Sequence, residues 1–132
     1  MLRRLLGLFT RNAAPDFVLP EESDLEVTES GLGYQHLEQG SGRTPGPTDT
    51  VTVRYAGWLP SGKRFDSSYP GTTSFPLNRV IGGWTEGLQL VAEGGSIRLV
   101  VPPHLGYGAR GMPPVIPPGA TLIFQVELVS IQ

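Results

Sequence analysis

The chain of 132 residues contains no cysteine, only two histidines and 17% charged residues. The absence of cysteine excludes disulfides, thiolate catalysis and zinc–thiolate sites together. The histidines, His36 and His104, have no candidate nucleophile beside them, and no spacing of His, Asp and Glu is typical of a metal site. We therefore expect neither nucleophilic catalysis nor a metal ion or other cofactor.

Long apolar runs, basic blocks and phosphate-binding glycine motifs are also missing. No cluster of Lys and Arg is longer than a pair and the net charge is -2, which argues against a nucleic-acid surface. No apolar stretch is long enough to span a bilayer. The chain has neither a P-loop nor a dinucleotide-binding fingerprint, and Gly82-Gly83 lacks a paired basic residue, so a tight turn is the preferred interpretation there.

The first thirty residues differ in composition from the rest. The apolar stretch Leu5–Phe9 is shorter than the core of a secretory signal, and six acidic residues and two prolines follow by residue 30. We predict a flexible arm over residues 1–30 and one domain over 31–132. An amphipathic anchor or a wrongly assigned start remain alternatives for the first residues. We expect a cytoplasmic location, or a periplasmic one if the arm contains a misread signal.

What the sequence does contain is turn residues, 18 Gly and 13 Pro, between short alternating segments. Period-two alternation predicts strands near residues 32–37, 50–59, 63–67, 74–77, 96–101 and 121–131. The period changes once: Trp84, Leu88 and Val91 share a helical face, which predicts a helix over Trp84–Ala92. A helix this short needs support from the sheet. The predicted fold class is α+β, an antiparallel sheet with one helix against its concave face.

The segment Tyr107–Gly119 is a stiff loop that carries apolar side chains. Prolines 113, 114, 117 and 118 remove backbone donors and restrict φ, so the segment cannot be helical. Tyr107, Val115 and Ile116 lie where loop residues are normally polar. The loop is either the lip of an apolar pocket or a connector with buried side chains.

Five segments, in this order along the chain, resemble the FKBP family of peptidyl-prolyl cis-trans isomerases: Val51–Leu59, Arg64–Ser68, Val80–Trp84, Tyr107–Gly108 and Ile116–Leu128. The resemblance covers the whole predicted domain. Each motif is weak alone, but five in the family's order and spacing are specific. The resemblance implies a half-wrapped antiparallel sheet of five or six strands around one short helix, with an apolar pocket between them.

By position, ten residues match the family's pocket. The resemblance implies catalytic roles for Asp66, Tyr107, Phe65 and Phe124, and substrate-binding roles for Tyr55, Phe75, Val80, Ile81, Trp84 and Ile116. Trp84 would form the floor, and the Ile81 N–H and the Tyr107 hydroxyl would donate to substrate carbonyls. Because neighbouring strand residues face opposite sides, Phe65 and Asp66 can share a pocket only if the strand is irregular, and we predict a bulge or break at residues 66–68.

Some positions depart from the family pattern. Many members carry a basic residue in the loop after the Asp66 position, whereas here that loop is Tyr69–Thr73. A salt bridge that orients Asp66 is therefore not expected. Gly82 replaces a commoner Pro or Arg, and Met112 stands where some members have histidine. No long insertion separates Gly106 from Gly119, so no additional chaperone domain is expected there.

The resemblance implies an isomerase that accelerates X-Pro bond rotation in protein folding, without a cofactor. The implied partners are proline-containing polypeptides and, in many family members, macrolides such as rapamycin. The alternative is a module that binds proline peptides or macrolides in the same pocket without catalysis. We expect a monomer.

Overall fold

The computed structural model describes residues 13–132, and its centre is one antiparallel sheet of seven strands. The strands are β1 (Glu26–Val27), β2 (Gly33–Glu38), β3 (Thr50–Trp58), β4 (Arg64–Ser67), β5 (Thr73–Pro76), β6 (Ser96–Val101) and β7 (Leu122–Ile131). Their order across the sheet is β1-β2-β6-β7-β3-β4, and β5 also pairs with β3. The α+β fold class is confirmed.

The sheet has one strand more than the five or six expected, because part of the predicted arm pairs with it. Glu26 and Val27 of β1 lie opposite Tyr34 and Gly33 of β2. Further towards the N-terminus, Phe17 packs against Trp58 with ring centroids 5.8 Å apart. The start of the domain at residue 31 stays a prediction, and these contacts favour an earlier boundary.

The one α-helix within residues 13–132, α1 (Gly82–Gly87), begins two residues before the predicted Trp84 and continues as a 3-10 turn over Leu88–Leu90. The predicted end at Ala92 is wrong, since Val91 is extended with φ -117°. The helix lies close to β6 because Gly87 has no side chain: a Cβ there would lie 2.7 Å from the Leu99 side chain. Trp84 and Leu88 of this segment are buried against the sheet.

Alternation along the long strands places the core on the side of the sheet that faces the helix. Val51, Val53 and Tyr55 of β3 are buried there, as are the predicted inner residues of β6 and β7, namely Ile97, Leu99, Val101, Leu122, Phe124, Val126 and Leu128. Burial of this apolar face is the main stabilising contribution to the domain. It also holds a helix too short to be stable alone.

The edge beside β3 is divided between two short strands. β4 pairs with Ala56–Trp58 and β5 pairs with Thr50–Val53. Both therefore lie on the same side of β3, at different positions along its length. The predicted irregularity of β4 lies one residue earlier than expected: Gly57 pairs with Asp66 and Trp58 with Arg64, which leaves Phe65 as the bulged residue. A bulge re-aims side chains at the strand edge, and so Phe65 and Asp66 both reach one cavity.

Candidate functional site

An open cavity of about 430 Å³ lies between α1 and the β3–β4–β5 edge of the sheet. Its lining is aromatic and aliphatic, with one acidic and one basic residue: Tyr55, Phe65, Asp66, Phe75, Arg79, Val80, Ile81, Trp84, Tyr107 and Phe124. This volume is within the range of small-molecule and peptide side-chain sites. Of the ten site residues predicted from the sequence, nine belong to the lining of this cavity. Their individual roles stay predictions.

Ile116 is the predicted residue that the cavity does not include. It is 1% exposed and belongs to the hydrophobic core under the proline-rich loop. Its backbone forms a bridge with Met112 within that loop, with N–H···O distances of 2.8 and 2.9 Å. Ile116 therefore supports the loop that carries Tyr107 rather than lining the cavity itself.

Edge-to-face ring contacts hold the aromatic walls. Trp84 meets Tyr55 at 4.9 Å, Phe124 at 5.5 Å and Phe75 at 5.6 Å between ring centroids. Phe65 stands against Phe124 at 5.5 Å. Such T-shaped pairs fix ring orientation as well as burying area. The cavity is therefore preorganised, with Trp84, 4% exposed, on its helix side.

Asp66 is held by two neutral donors. The Tyr55 hydroxyl donates to Asp66 Oδ2 at 2.6 Å, and the Ser67 N–H donates to Oδ1 at 2.8 Å. Beyond Asp66, Ser68 Oγ accepts from the Tyr55 N–H at 2.9 Å. These bonds orient the carboxylate without an ion pair.

Apart from the buried Trp84 indole N–H and the Arg79 guanidinium, two donors in the lining have no protein acceptor. Within residues 13–132, neither the Tyr107 hydroxyl nor the Ile81 N–H makes a hydrogen bond. Burial and the nearby charge of Asp66 both raise the pKa of Tyr107, so this phenol keeps its proton at neutral pH. Both groups are available to a ligand carbonyl. Their roles as donors to a substrate stay predictions.

All four tyrosines have a pKa above the ordinary value of about 10, which makes the protein sensitive to alkali. For Tyr55, Tyr69 and Tyr107 burial is the main cause, and for Tyr34 it is the hydrogen bond to Glu26. A phenol that binds its proton more tightly in the folded state contributes stability that is complete below its unfolded pKa. That stability is lost as pH rises from there through the folded pKa.

We therefore expect the melting temperature to fall steadily as pH rises above about 10. The measurement is a thermal melt monitored by circular dichroism at several pH values from about 8.5 to 11.5. Tyr55→Phe should be less stable at neutral pH, because it loses the bond to Asp66, and should show a shallower alkaline decline. A melting temperature that stays constant through this range would show that the phenols are not protected by the fold.

The two histidines lie away from the cavity. His36 is exposed on β2, and His104 Nε2 contacts the Ser30 carbonyl oxygen at 2.7 Å, so neither lines the cavity. No group of three or more His, Asp or Glu in the described part of the chain is placed to hold a metal ion. None of the helices over residues 13–132 combines the length and apolar character needed to cross a bilayer.

Arg79 is the cavity residue that sequence reasoning missed. It lies at the end of a 3-10 turn, Leu77–Arg79, directly before Val80. The resemblance gave it no role, and an exposed arginine carries no periodic signal. Its adjacency to the Val80–Trp84 motif was the one clue available.

Comparison with known proteins places this arrangement in a family. The profile described as FKBP-type peptidyl-prolyl cis-trans isomerase matches residues 41–129. A probable FKBP-type peptidyl-prolyl cis-trans isomerase of Haemophilus influenzae is 51% identical over 110 residues, which cover 82% of this chain and 46% of the relative. FK506-binding protein 1A of Emericella nidulans is 47% identical over 106 residues, 76% of this chain and 98% of the relative.

The fold is shared with solved structures as well. The crystal structure of FkpA from Escherichia coli aligns with a TM-score of 0.80 at 42% identity, covering 98% of this chain and 57% of that one. This chain spans less than half the length of the bacterial relatives that match it at 51% and 47% identity. Sheet, helix and family profile agree, and the chain belongs to the FKBP family of peptidyl-prolyl cis-trans isomerases.

Proposed function

We propose that this protein accelerates rotation about X-Pro peptide bonds in polypeptide substrates. The observation that carries the proposal is the aromatic cavity of about 430 Å³, in which two unpaired donors, Tyr107 and Ile81, share the lining with Trp84. The cavity is apolar enough for a proline ring and offers partners for the adjoining carbonyl groups. Among the described residues, no serine, threonine, cysteine or histidine belongs to the lining, which suits a reaction that forms no bond to the protein.

Rotation about an X-Pro bond requires loss of amide resonance, with a barrier of about 18–20 kcal/mol. The uncatalysed event takes tens to hundreds of seconds. A planar amide has more charge separation than a twisted one, so transfer from water to an apolar cavity destabilises the planar form more. This is preferential binding of the transition state, and each ~1.4 kcal/mol of preference gives about a tenfold faster rotation.

The cavity residues divide this work between them. Phe65 and Phe124 act as walls against the proline ring, and Trp84 forms the floor. Tyr107 and the Ile81 N–H donate to peptide carbonyls and hold the segment while the bond turns. Asp66 fixes the Tyr55 ring through the 2.6 Å hydrogen bond, and its charge favours the protonated state of Tyr107.

The partners follow from the same cavity. We propose proline-containing polypeptides as substrates and macrolides as ligands, since a relative that aligns over 98% of its own length is named an FK506-binding protein. The protein is proposed to act as a monomer. The predicted cytoplasmic location, with its periplasmic alternative, depends on Met1–Asn12, which lie outside the described residues.

The test is NMR exchange spectroscopy on a short Leu-Pro peptide, with and without the protein. We expect catalytic amounts of protein to raise the cis–trans exchange rate and leave the cis:trans ratio unchanged, since a catalyst does not shift an equilibrium. A macrolide should abolish the effect. Binding of peptide or macrolide without faster exchange, even at high protein concentration, would favour the non-catalytic binding module instead.

A further inference from the structure

Arg79 brings an unpaired positive charge to the cavity. The side chain is exposed, it contributes to the lining, and it makes no ion pair or hydrogen bond with any residue in the range 13–132. Two other arginines of the described residues do form ion pairs, Arg43 with Asp49 and Arg54 with Glu127, and both are outside the cavity. A guanidinium has five N–H donors, and here all of them are free for a ligand.

The other ionised group of the lining, Asp66, differs from Arg79 because it already has hydrogen-bond partners in the protein. Both of its oxygens already accept hydrogen bonds, from the Tyr55 hydroxyl and the Ser67 N–H. These donors offset part of the carboxylate charge and leave less of it for a ligand. Asp66 and Arg79 do not form a salt bridge with one another, so the guanidinium is not neutralised from within the cavity. The uncompensated charge that a bound peptide meets is therefore the positive charge of Arg79.

We propose that Arg79 is a specificity-determining residue that favours X-Pro segments with an acidic side chain close to the proline. This inference rests on the isomerase function proposed above and deepens it by naming a substrate class. When the proline ring occupies the aromatic cavity, the neighbouring residues of the peptide cross its rim, where Arg79 lies. A Glu or Asp there can accept two parallel N–H bonds from the guanidinium, whereas a Lys is repelled.

The expected preference for acidic peptides is small in kcat/KM. An exposed ion pair of this kind corresponds to about two- to fivefold in kcat/KM. Because the contact is remote from the rotating bond, it binds ground state and transition state alike, and the change should appear in KM rather than kcat. Salt should weaken it, since the screening length falls from about 10 Å at 0.1 M to about 3 Å at 1 M.

The experiment compares peptides that contain a Leu-Pro unit and differ in a single residue near it. That variable residue is Glu, Gln or Lys. Two such sets are used, with the variable residue before or after the unit, and kcat/KM is obtained from exchange spectroscopy. In at least one set the wild-type protein should prefer Glu over Gln and Gln over Lys. Arg79→Gln should remove the order and Arg79→Glu should reverse it. Raising the salt concentration to 1 M should compress the differences for the wild type.

Arg64→Glu is the matched control, because Arg64 is also exposed but does not line the cavity. It changes net charge by the same amount and should keep the wild-type order. Equal kcat/KM for the three peptides in both sets, or an unchanged order in Arg79→Glu, would overturn the role of Arg79 while the isomerase function stands. If the Gln peptides are not accelerated at all, the isomerase function fails and the specificity proposal with it.

Discussion

Replacing Phe65 by alanine is expected to lower kcat/KM for X-Pro rotation by roughly ten- to hundredfold while the protein stays folded. Phe65 is half-buried on the bulge of β4 and stands edge-to-face against Phe124 at 5.5 Å. Its removal opens the cavity wall to water, which solvates the planar amide and removes part of the preference for the twisted form. Exchange spectroscopy on a Leu-Pro peptide measures the rate, and a thermal melt reports folding.

Phe17→Ala is the matched control for this substitution. Phe17 is also half-buried and also contacts an aromatic ring, that of Trp58, but it is outside the cavity. The Phe17→Ala variant should lose about 1–2 kcal/mol in the free energy of unfolding and keep the wild-type rotation rate. Phe65→Leu, which restores an apolar wall, should recover much of the rate. If Phe65→Ala and Phe17→Ala have the same activity, the wall does not contribute to catalysis.

Gly57→Ala is expected to damage both stability and activity, although Gly57 itself is not part of the cavity lining. A Cβ at this position would lie 2.8 Å from Phe124 Cε1 and 2.8 Å from Phe65 Cζ. Real side chains do not come so close, so both rings would have to move. We expect a loss of about 1–3 kcal/mol in the free energy of unfolding, as in other overpacked cores, and a fall in kcat/KM of at least about tenfold.

The control for Gly57 is Gly46→Ala, because its added Cβ would lie 3.6 Å from Asp49 Oδ2, an ordinary contact. It should have nearly wild-type stability and rate. Chemical denaturation gives the first quantity and exchange spectroscopy the second. If Gly57→Ala retains full activity, the positions of the Phe65 and Phe124 rings do not matter to the reaction.

Patterns internal to one segment were enough to predict much of this fold. The alternation of Val51, Val53 and Tyr55 identified β3 and its buried face, and β6 was located to the residue at Ser96–Val101. In these strands a side chain's direction follows from period two alone. The helix was harder, because its C-terminal half tightens to a 3-10 turn that the Trp84, Leu88, Val91 spacing does not distinguish from α-helix.

Features that depend on contacts between distant segments were not accessible from local patterns. Phe17 packs on Trp58 across more than forty positions of the chain, so the acidic, proline-containing stretch around it resembled an arm. The bulge at Phe65 was expected from the need to bring Phe65 and Asp66 together, but its place depends on the pairing with Gly57 and Trp58.

The cavity residues came from the family resemblance rather than from periodicity. Motif matching located Asp66 and Tyr107 but also included Ile116, because it cannot separate a residue that lines a cavity from one that supports the loop beside it. It missed Arg79 for the converse reason: a side chain at the cavity rim needs no particular motif. Three-dimensional proximity was required for both.

The rotation rate of a peptide while it is bound tests the central proposal most directly. Line-shape analysis of a Leu-Pro peptide at saturating protein separates that rate from the rate of binding. The proposed mechanism predicts rotation at least about a thousandfold faster than in free solution, a barrier lower by about 4 kcal/mol. A peptide that occupies the cavity beside Trp84 and still rotates at its free rate would contradict it.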